Sequence, residues 1–197
     1  IIETFPQRSE EWYAAKAGVP SASNFDKIVT MAGQRSKQAD KYLYQLAGEK
    51  ALGKIEDGYC NAAMTRGIEL EPEARSFFEM LHDVEVQEVG MCYRDEQKLF
   101  SCSPDGLMEN AGLEIKCPQL STHIEYLLNN ALPATYFQQV QGSLYVTGLS
   151  HWFFMSYYPG IKPLIVKVEP DLKFHARLAA ELEAFCDELE TITKRII

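Results

Sequence analysis

The stretch that decides the fold runs from Ser103 to Pro118 and reads SPDGLMENAGLEIKCP. Leu113, Ile115 and Cys117 alternate with Glu114 and Lys116. A period of two marks a half-buried strand with successive side chains on opposite faces. Glu114 and Lys116 therefore point one way and the apolar residues point to a core. Pro104-Asp105-Gly106 and Asn110-Ala111-Gly112 are turn signals. The segments they bound either pair as a hairpin or bend around a common site, and both arrangements bring Asp105 near Glu114 and Lys116. Two carboxylates and an ammonium suit Mg²⁺ and a phosphate: oxygen ligands for a hard cation, and a lysine to orient or activate water. The same residues also fit an ordinary solvent-facing strand after an ordinary turn, because short motifs recur by chance.

At 197 residues the chain can bury one sizeable core, and a single domain over 1–197 is expected. No run of about 18 apolar residues occurs, so no membrane span is expected. The opening IIETFPQRSEEW lacks the basic-then-apolar shape of a secretory signal. Cys60, Cys92, Cys102, Cys117 and Cys186 are odd in number and show no CxxC pairing. That pattern fits reduced thiols in a cytoplasmic protein and argues against a zinc or iron–sulfur cluster. Cys92 and Cys102 can face each other across a hairpin, without a disulfide being expected. The net charge of −9 argues mildly against a nucleic-acid partner. A metal-dependent enzyme needs only a local basic path, however, with the ion supplying positive charge at the reaction centre.

The first third reads helical. Ser9 can cap a helix starting at Glu10, and Ser21 or Ser23 can cap a second through Asn24–Met31. Gly33 to Lys37 form a basic loop before a third helix over Ala39–Leu52. In TRGIELEPEARSFFEML, Leu70, Ala74, Phe77, Phe78 and Leu81 recur at helical spacing as one apolar stripe. Glu71 and Glu73 stand on its two shoulders, where a carboxylate is ordinarily a solvated rim charge, and Pro72 suits a first turn or a kink. From Val84 to Cys117 the pattern is a β-meander. Helices over Thr122–Asn130 and Ala134–Thr147 follow, the latter with Phe137, Val140 and Leu144 on its core face and Gln138, Gln139 and Gln141 beside them. WFFMSYY and LIVKVE are strands on either side of Pro159-Gly160. The terminal helix carries Leu178, Leu182, Phe185, Leu189, Ile192 and Ile196, which reads as a helix packed on its own domain in preference to a coiled-coil seam. The fold class is α/β, a mixed β-sheet flanked by helices.

A proline-aspartate turn, a spacer and Glu-x-Lys resemble the signature of the PD-(D/E)xK nucleases, whose core is restriction-endonuclease-like. Here CSPDGL, LEIKCP, QQVQGSLYVTG and WFFMSYYP occur in that order, with EWYAAKAGVPSAS near the start and RGIELEPEAR between. Together these resemble the phage lambda-type alkaline exonucleases, the viral recombinase nuclease family, over nearly the whole chain. The resemblance implies roles residue by residue. Asp105 and Glu114 are metal ligands, with the carbonyl of Ile115 beside them and Glu71 acting on a metal directly or through water. Lys116 positions or deprotonates the attacking water. Gln139 and Gln141 hold DNA phosphate or the water network. Lys16, Ser23 and Ser103, with Ser21 adjacent, form a 5′-phosphate pocket, and Lys16 stands where the family more often has arginine. Met64 is the wedge that unpairs the duplex end and Arg35 grips the frayed strand. Core filling and a solvated loop charge are the plain alternatives for that pair.

Hydrolysis needs an in-line hydroxide, a stabilised phosphate and help for the departing oxygen, which two Mg²⁺ ions supply; Mn²⁺ can substitute. The implied activity is processive 5′→3′ degradation of one strand of duplex DNA from its ends, leaving a 3′ overhang for recombination by single-strand annealing. The implied setting is a bacteriophage or prophage enzyme in the host cytoplasm. It is a homotrimeric ring and works with a single-strand annealing protein. Unpairing costs about 1.4 kcal/mol per base-pair step. The competing readings are another PD-(D/E)xK repair nuclease or endonuclease, and a DNA-end-binding module without catalysis.

Overall fold

The structure, a computed structural model, describes residues 1–55 and 62–197, so Cys60 lies outside the described residues. In chain order the elements are β1 (Ile2–Glu3), α1 (Glu10–Lys16), a 3₁₀ helix (Ala22–Lys27), α2 (Ala39–Leu52), α3 (Ala62–His82), β2 (Met91–Tyr93) and β3 (Ser101–Cys102). There follow β4 (Gly106–Leu107), β5 (Ala111–Lys116), α4 (Leu120–Asn129), α5 (Phe137–Thr147), β6 (His151–Ser156), β7 (Leu164–Val168) and α6 (Leu172–Ile196).

The principal sheet has the order β4-β5-β6-β7. β4 and β5 form an antiparallel hairpin with Gly106 opposite Leu113. β5 and β6 run parallel, with Glu114 opposite Phe154 and Lys116 opposite Ser156. Parallel neighbours need a long crossover, which α4 and α5 provide. β7 closes the sheet antiparallel to β6. The sheet is mixed and flanked by helices, as the sequence indicates.

The expected meander from Val84 to Cys117 is divided. β1, β2 and β3 make a separate antiparallel sheet, and the chain leaves it at Pro104, which has no N–H to donate to a ladder. Asp105 N–H then bonds Leu113 C=O at 3.1 Å, which starts the second sheet. Between Val84 and Gly90 only Gln87 pairs, as an isolated bridge to Leu107.

β5 is buried on both faces, not one. Leu113 and Ile115 pack with Ala74, Phe78, Met155 and Tyr157 beneath α3. Glu114 is 2% exposed, because α5 covers the other face and Gln139 reaches it from there. Along α3, Ala74 and Phe78 are buried, but Leu81 is exposed. His82, one helical turn beyond Phe78, lies tilted against the rings of Phe78 and Phe153, with centroids 4.4 and 5.5 Å away.

The larger core joins α2, α5, α6 and the 3₁₀ helix through residues such as Phe25, Leu46, Val140, Leu178 and Trp152. The stripe of α6 lies against its own domain, with Phe185 stacked on Tyr42 at 5.8 Å, and only its end residue Ile196 is exposed. Ser9 caps α1 by accepting Trp12 N–H at 3.2 Å. The second expected helix is a 3₁₀ segment that stops at Lys27, and neither Ser21 nor Ser23 caps it with its side chain. Tertiary contacts override its helical propensity: Ser21 is drawn into a bridge with Ser101, and Phe25 presses on α5 where Gly142 has no side chain.

Gly112 sits opposite Trp152 in the parallel register, and a Cβ there would overlap the indole ring. Trp152 is fully buried and has no room to give way. Gly112→Ala is expected to lower unfolding free energy by about 1–3 kcal/mol, the usual cost of overpacking. Urea denaturation followed by fluorescence measures it, and an unchanged midpoint would show that the sheet relaxes around the methyl group.

Candidate active site

The turn at Pro104-Asp105 is fixed from three sides. Gln7 Nε2 donates to Pro104 C=O at 2.7 Å. Arg75 Nε donates to Asp105 C=O at 2.9 Å. The Asp105 carboxylate accepts Ile115 N–H at 2.6 Å. The backbone of β5 thereby holds the aspartate against its own strand, and Ile115 takes part through its N–H.

Glu114 and Lys116 share the face predicted for them. Lys116 Nζ lies 2.5 Å from Glu114 Oε1, and Gln139 Nε2 donates to the same oxygen at 2.6 Å. Lys116 also stands 5.2 Å from the centroid of the Tyr136 ring. Burial, and after it the neighbouring charge of Glu114, push the Asp105 carboxyl well above its ordinary range, with Lys116 opposing. Burial alone would lower the Lys116 ammonium, yet Glu114 and Asp105 together raise it.

Glu71 reaches the same region from α3 but is held by two guanidiniums. Arg75 Nη2 meets Oε1 at 2.8 Å and Arg8 Nη2 meets Oε2 at 2.9 Å. Arg75, buried, adds a third contact to Glu88 at 2.8 Å. It thus ties α3, the Asp105 turn and the segment before β2 together. Sequence reasoning passed over Arg75, although its place four residues after Glu71 is the spacing that joins ion pairs on a helix. Glu71, Arg75 and Asp105 line a crevice of about 270 Å³.

Among the described residues no three His, Cys, Asp or Glu side chains form a ready-made metal cage. The donor set still fits a hard divalent ion. Asp105 and Glu114 offer carboxylate oxygens crowded enough to repel one another, and a cation beside them would reverse that penalty. Mg²⁺ keeps several waters and needs few protein ligands.

Lys16 and Met64 line one cavity of about 390 Å³, along with Trp12 and Asn24. Lys16 Nζ stands 4.4 Å from the Trp12 ring centroid, and burial lowers its ammonium below the usual lysine value against the pull of Glu49. Trp12 Nε1 donates to Ser103 Oγ at 3.0 Å, so Lys16, Trp12 and Ser103 are contiguous. Ser21 and Ser23 pair through their hydroxyls at 3.0 Å. The six-residue 3₁₀ segment that starts between them, at Ala22, is too short to offer a phosphate the dipole of an α-helix. Met64 is 50% exposed at the start of α3, so it is not core filler.

Two residues stand elsewhere. Arg35 grips Glu188 through both terminal nitrogens, each at 2.8 Å, and Asp40 at 2.9 Å. It braces α2 and α6 and is not among the residues lining the cavity of Lys16 and Met64. Gln141 is buried and bridges Glu169 C=O and Asp171 N–H, both at 2.9 Å, so its amide secures the entry to α6. Of the two glutamines named from the family pattern, Gln139 is the one that touches the acidic pair.

Comparison with known proteins agrees with this geometry. The model of the YqaJ-like viral recombinase domain matches residues 11–150. The crystal structure of an alkaline exonuclease (LHK-Exo) from Laribacter hongkongensis superposes with a TM-score of 0.86 at 32% identity, covering 95% of this chain and 96% of that one. Its complex with dAMP gives the same figures: TM-score 0.86, 32% identity, and 95% and 96% coverage. A phage-related exonuclease from Haemophilus somnus 129PT shares the fold at TM-score 0.71 and 14% identity, covering 91% of this chain and 96% of its own. No curated protein matches significantly. The mixed sheet and its helices are the restriction-endonuclease-like fold of these nucleases. With the acidic pair, its lysine and the order of elements all in place, the chain belongs to the YqaJ-like viral recombinase domain family.

Proposed function

We propose that this protein is a single-domain, Mg²⁺-dependent 5′→3′ exonuclease. It degrades one strand of duplex DNA processively from an end and leaves a 3′ overhang for recombination by single-strand annealing. The observation that carries the reading is the convergence of Asp105, Glu114 and Lys116 on the β4–β5 hairpin, with Gln139 on Glu114. Membership of a viral recombinase family and likeness to an alkaline exonuclease support the reaction class. A relative in complex with dAMP, a nucleoside monophosphate, supports a mononucleotide product.

Asp105, Glu114 and the carbonyl of Ile115 would hold the metal, two Mg²⁺ ions with Mn²⁺ able to substitute. When bound, the ions supply Lewis-acid charge at the phosphate and an acidified water. Lys116, an ammonium held by Glu114, orients the attacking water or a phosphate oxygen. Gln139 fixes Glu114 so that one carboxylate oxygen keeps its direction. Lys16, with the hydroxyls of Ser23 and Ser103, receives the 5′ phosphate. Met64, exposed in the same cavity as Lys16, supplies an apolar surface against the terminal base pair. A homotrimeric ring with a locally basic channel would reconcile DNA binding with a net charge of −9, and a single-strand annealing protein is the partner that receives the overhang.

The test uses linear duplex labelled distinctly at each strand terminus, beside an intact circle of the same sequence. Mg²⁺-dependent release of the 5′ label first, with the circle spared, is expected. Cutting of the circle, or release from 3′ ends first, would overturn the reading.

Lys116→Gln keeps a hydrogen-bond donor for Glu114 but removes the charge. It should slow turnover by about 10²–10⁴-fold, the range for groups that handle the reacting proton, with duplex affinity unchanged. Near-normal turnover at saturating Mg²⁺ would remove Lys116 from the chemistry. Lys16→Ala should weaken binding of 5′-phosphorylated duplex by about 1.5–3 kcal/mol, with little change for 5′-hydroxyl duplex. An equal loss on both would place Lys16 on the duplex backbone or in the scaffold.

A further inference from the structure

Cys92 on β2 and Cys102 on β3 stand directly opposite one another in the antiparallel register. Tyr93 N–H bonds Ile1 C=O at 2.8 Å and Ser101 N–H bonds Pro20 C=O at 2.9 Å, both away from the β2–β3 ladder. Backbone groups alternate in direction along a strand, so those of Cys92 and Cys102 turn toward each other as a hydrogen-bonded pair. Such a pair has Cα atoms about 5.5 Å apart, inside the range a disulfide spans. Its Cβ atoms also stand about 5.5 Å apart, whereas a disulfide brings them to about 3.8 Å. Closing a bond here therefore draws the two strands together.

The two thiols differ in access and in acidity. Cys92 lines a cavity of about 750 Å³ with Gln87, Leu107, Met108 and Thr147, and Cys102 is not among its lining residues. The neighbouring Cys102 thiol holds the Cys92 thiol below its ordinary value, against burial. Burial pushes Cys102 itself well above that value. Cys117 and Cys186 are pushed up to about 11 by burial. Of the described cysteines, Cys92 alone leans toward the thiolate, which is the form an oxidant attacks.

Cys102 precedes Asp105 by three residues. The Ser143 hydroxyl of α5 stands beside it, one helical turn after Gln139, which holds Glu114. We infer that Cys92 and Cys102 form an oxidant-sensitive pair, closed by a peroxide, whose disulfide displaces the Asp105 turn and slows the site. The Cys92 thiolate attacks one peroxide oxygen and the O–O bond breaks. The hydroxide that leaves takes up the proton Cys92 had released, and Cys92 becomes a sulfenic acid. The Cys102 thiol then attacks the Cys92 sulfur. The S–S bond forms, the S–O bond breaks, and the Cys102 proton leaves with the hydroxide as water. With hydrogen peroxide, two thiols are oxidised to one disulfide and the peroxide is reduced to two waters. An external dithiol reverses the step, as suits a transient bond in a reducing compartment. The slowing rests on the exonuclease reading above; the bond does not.

The test treats reduced protein with hydrogen peroxide, unfolds it, alkylates the free thiols and digests it with trypsin for mass spectrometry. Cys92 and Cys102 fall in separate fragments, Ser76–Arg94 and Leu99–Lys116. The two should be joined after peroxide and separate after dithiothreitol, with Cys117 and Cys186 alkylated throughout. In Cys102→Ser, a cyclic 1,3-dione should label Cys92 as its sulfenic acid. Mg²⁺-dependent degradation of linear duplex by oxidised wild type should slow about tenfold or more, as a misplacement of about 1 Å can cause. It should recover with dithiothreitol, and Cys92→Ser should be indifferent to peroxide. Fragments that stay separate would overturn the inference, and that reading on wild type needs no variant to fold. An equal peroxide loss in Cys92→Ser, or joined fragments with unchanged turnover, would overturn the control of the site. If reduced wild type fails to degrade linear duplex, it is the exonuclease reading that falls.

Discussion

Asp105 and Glu114 are brought side by side by the β4–β5 hairpin, and the structure around them answers their mutual repulsion. Burial and the Glu114 charge raise the Asp105 carboxyl well above its ordinary value of 3.8. A carboxyl raised in the folded state binds its proton more tightly there than in the unfolded chain. Its stabilising contribution is therefore present at low pH and is lost as pH rises through the raised value. At neutral pH the pair is a standing cost, met in part by Lys116 and by the donors on Gln139 and Ile115. A site that tolerates such a cost is arranged for charge from outside, and a divalent ion is the partner of the right sign and hardness.

The rest of the molecule keeps those groups from separating. The parallel register of β5 on β6 locks Glu114 and Lys116 in line, and α5 crosses back to place Gln139 over them. α3 covers the opposite face with Ala74 and Phe78, and it delivers Glu71 and Arg75 at its rim. Arg75 then reaches the Asp105 carbonyl. One buried guanidinium thus couples the packing of α3 to the position of the Pro104-Asp105 turn. The 3₁₀ segment presses Phe25 onto α5, and Ser103, just beyond the second sheet, accepts from Trp12, which lines the neighbouring cavity of Lys16.

Much of this was legible in local pattern. The alternation of LEIK and the apolar stripe of α6 report their own periodicities, and the Ser9 cap and the apolar stretch of β6 follow from simple rules. Glu114 and Lys116 could be placed on one face because strand period forces it. What was not legible depends on partners distant in sequence. Burial of the Glu114 face is set by α5. The 3₁₀ segment is held by Ser101, which bridges Ser21 at its start, and by Gly142, which receives Phe25. The break in the meander is set by where Asp105 N–H finds Leu113. Arg35 read as a loop charge or a strand grip because Glu188, its partner, lies on the last helix. Gln141 carried the family pattern, yet its amide is engaged by the chain entering α6. Membership of the family fixes the reaction class better than it fixes the duty of each residue.

An Asp105–Glu114 pair built around a divalent cation should bind that ion before any DNA arrives. The most direct measurement is the thermal unfolding midpoint of the protein, without DNA, titrated with Mg²⁺ and with Mn²⁺. A ligand that binds only the folded state raises the midpoint with concentration. A rise is expected for wild type with either ion, and its loss in Asp105→Asn and in Glu114→Gln. A wild-type midpoint indifferent to both ions, or an equal rise in the two variants, would contradict it.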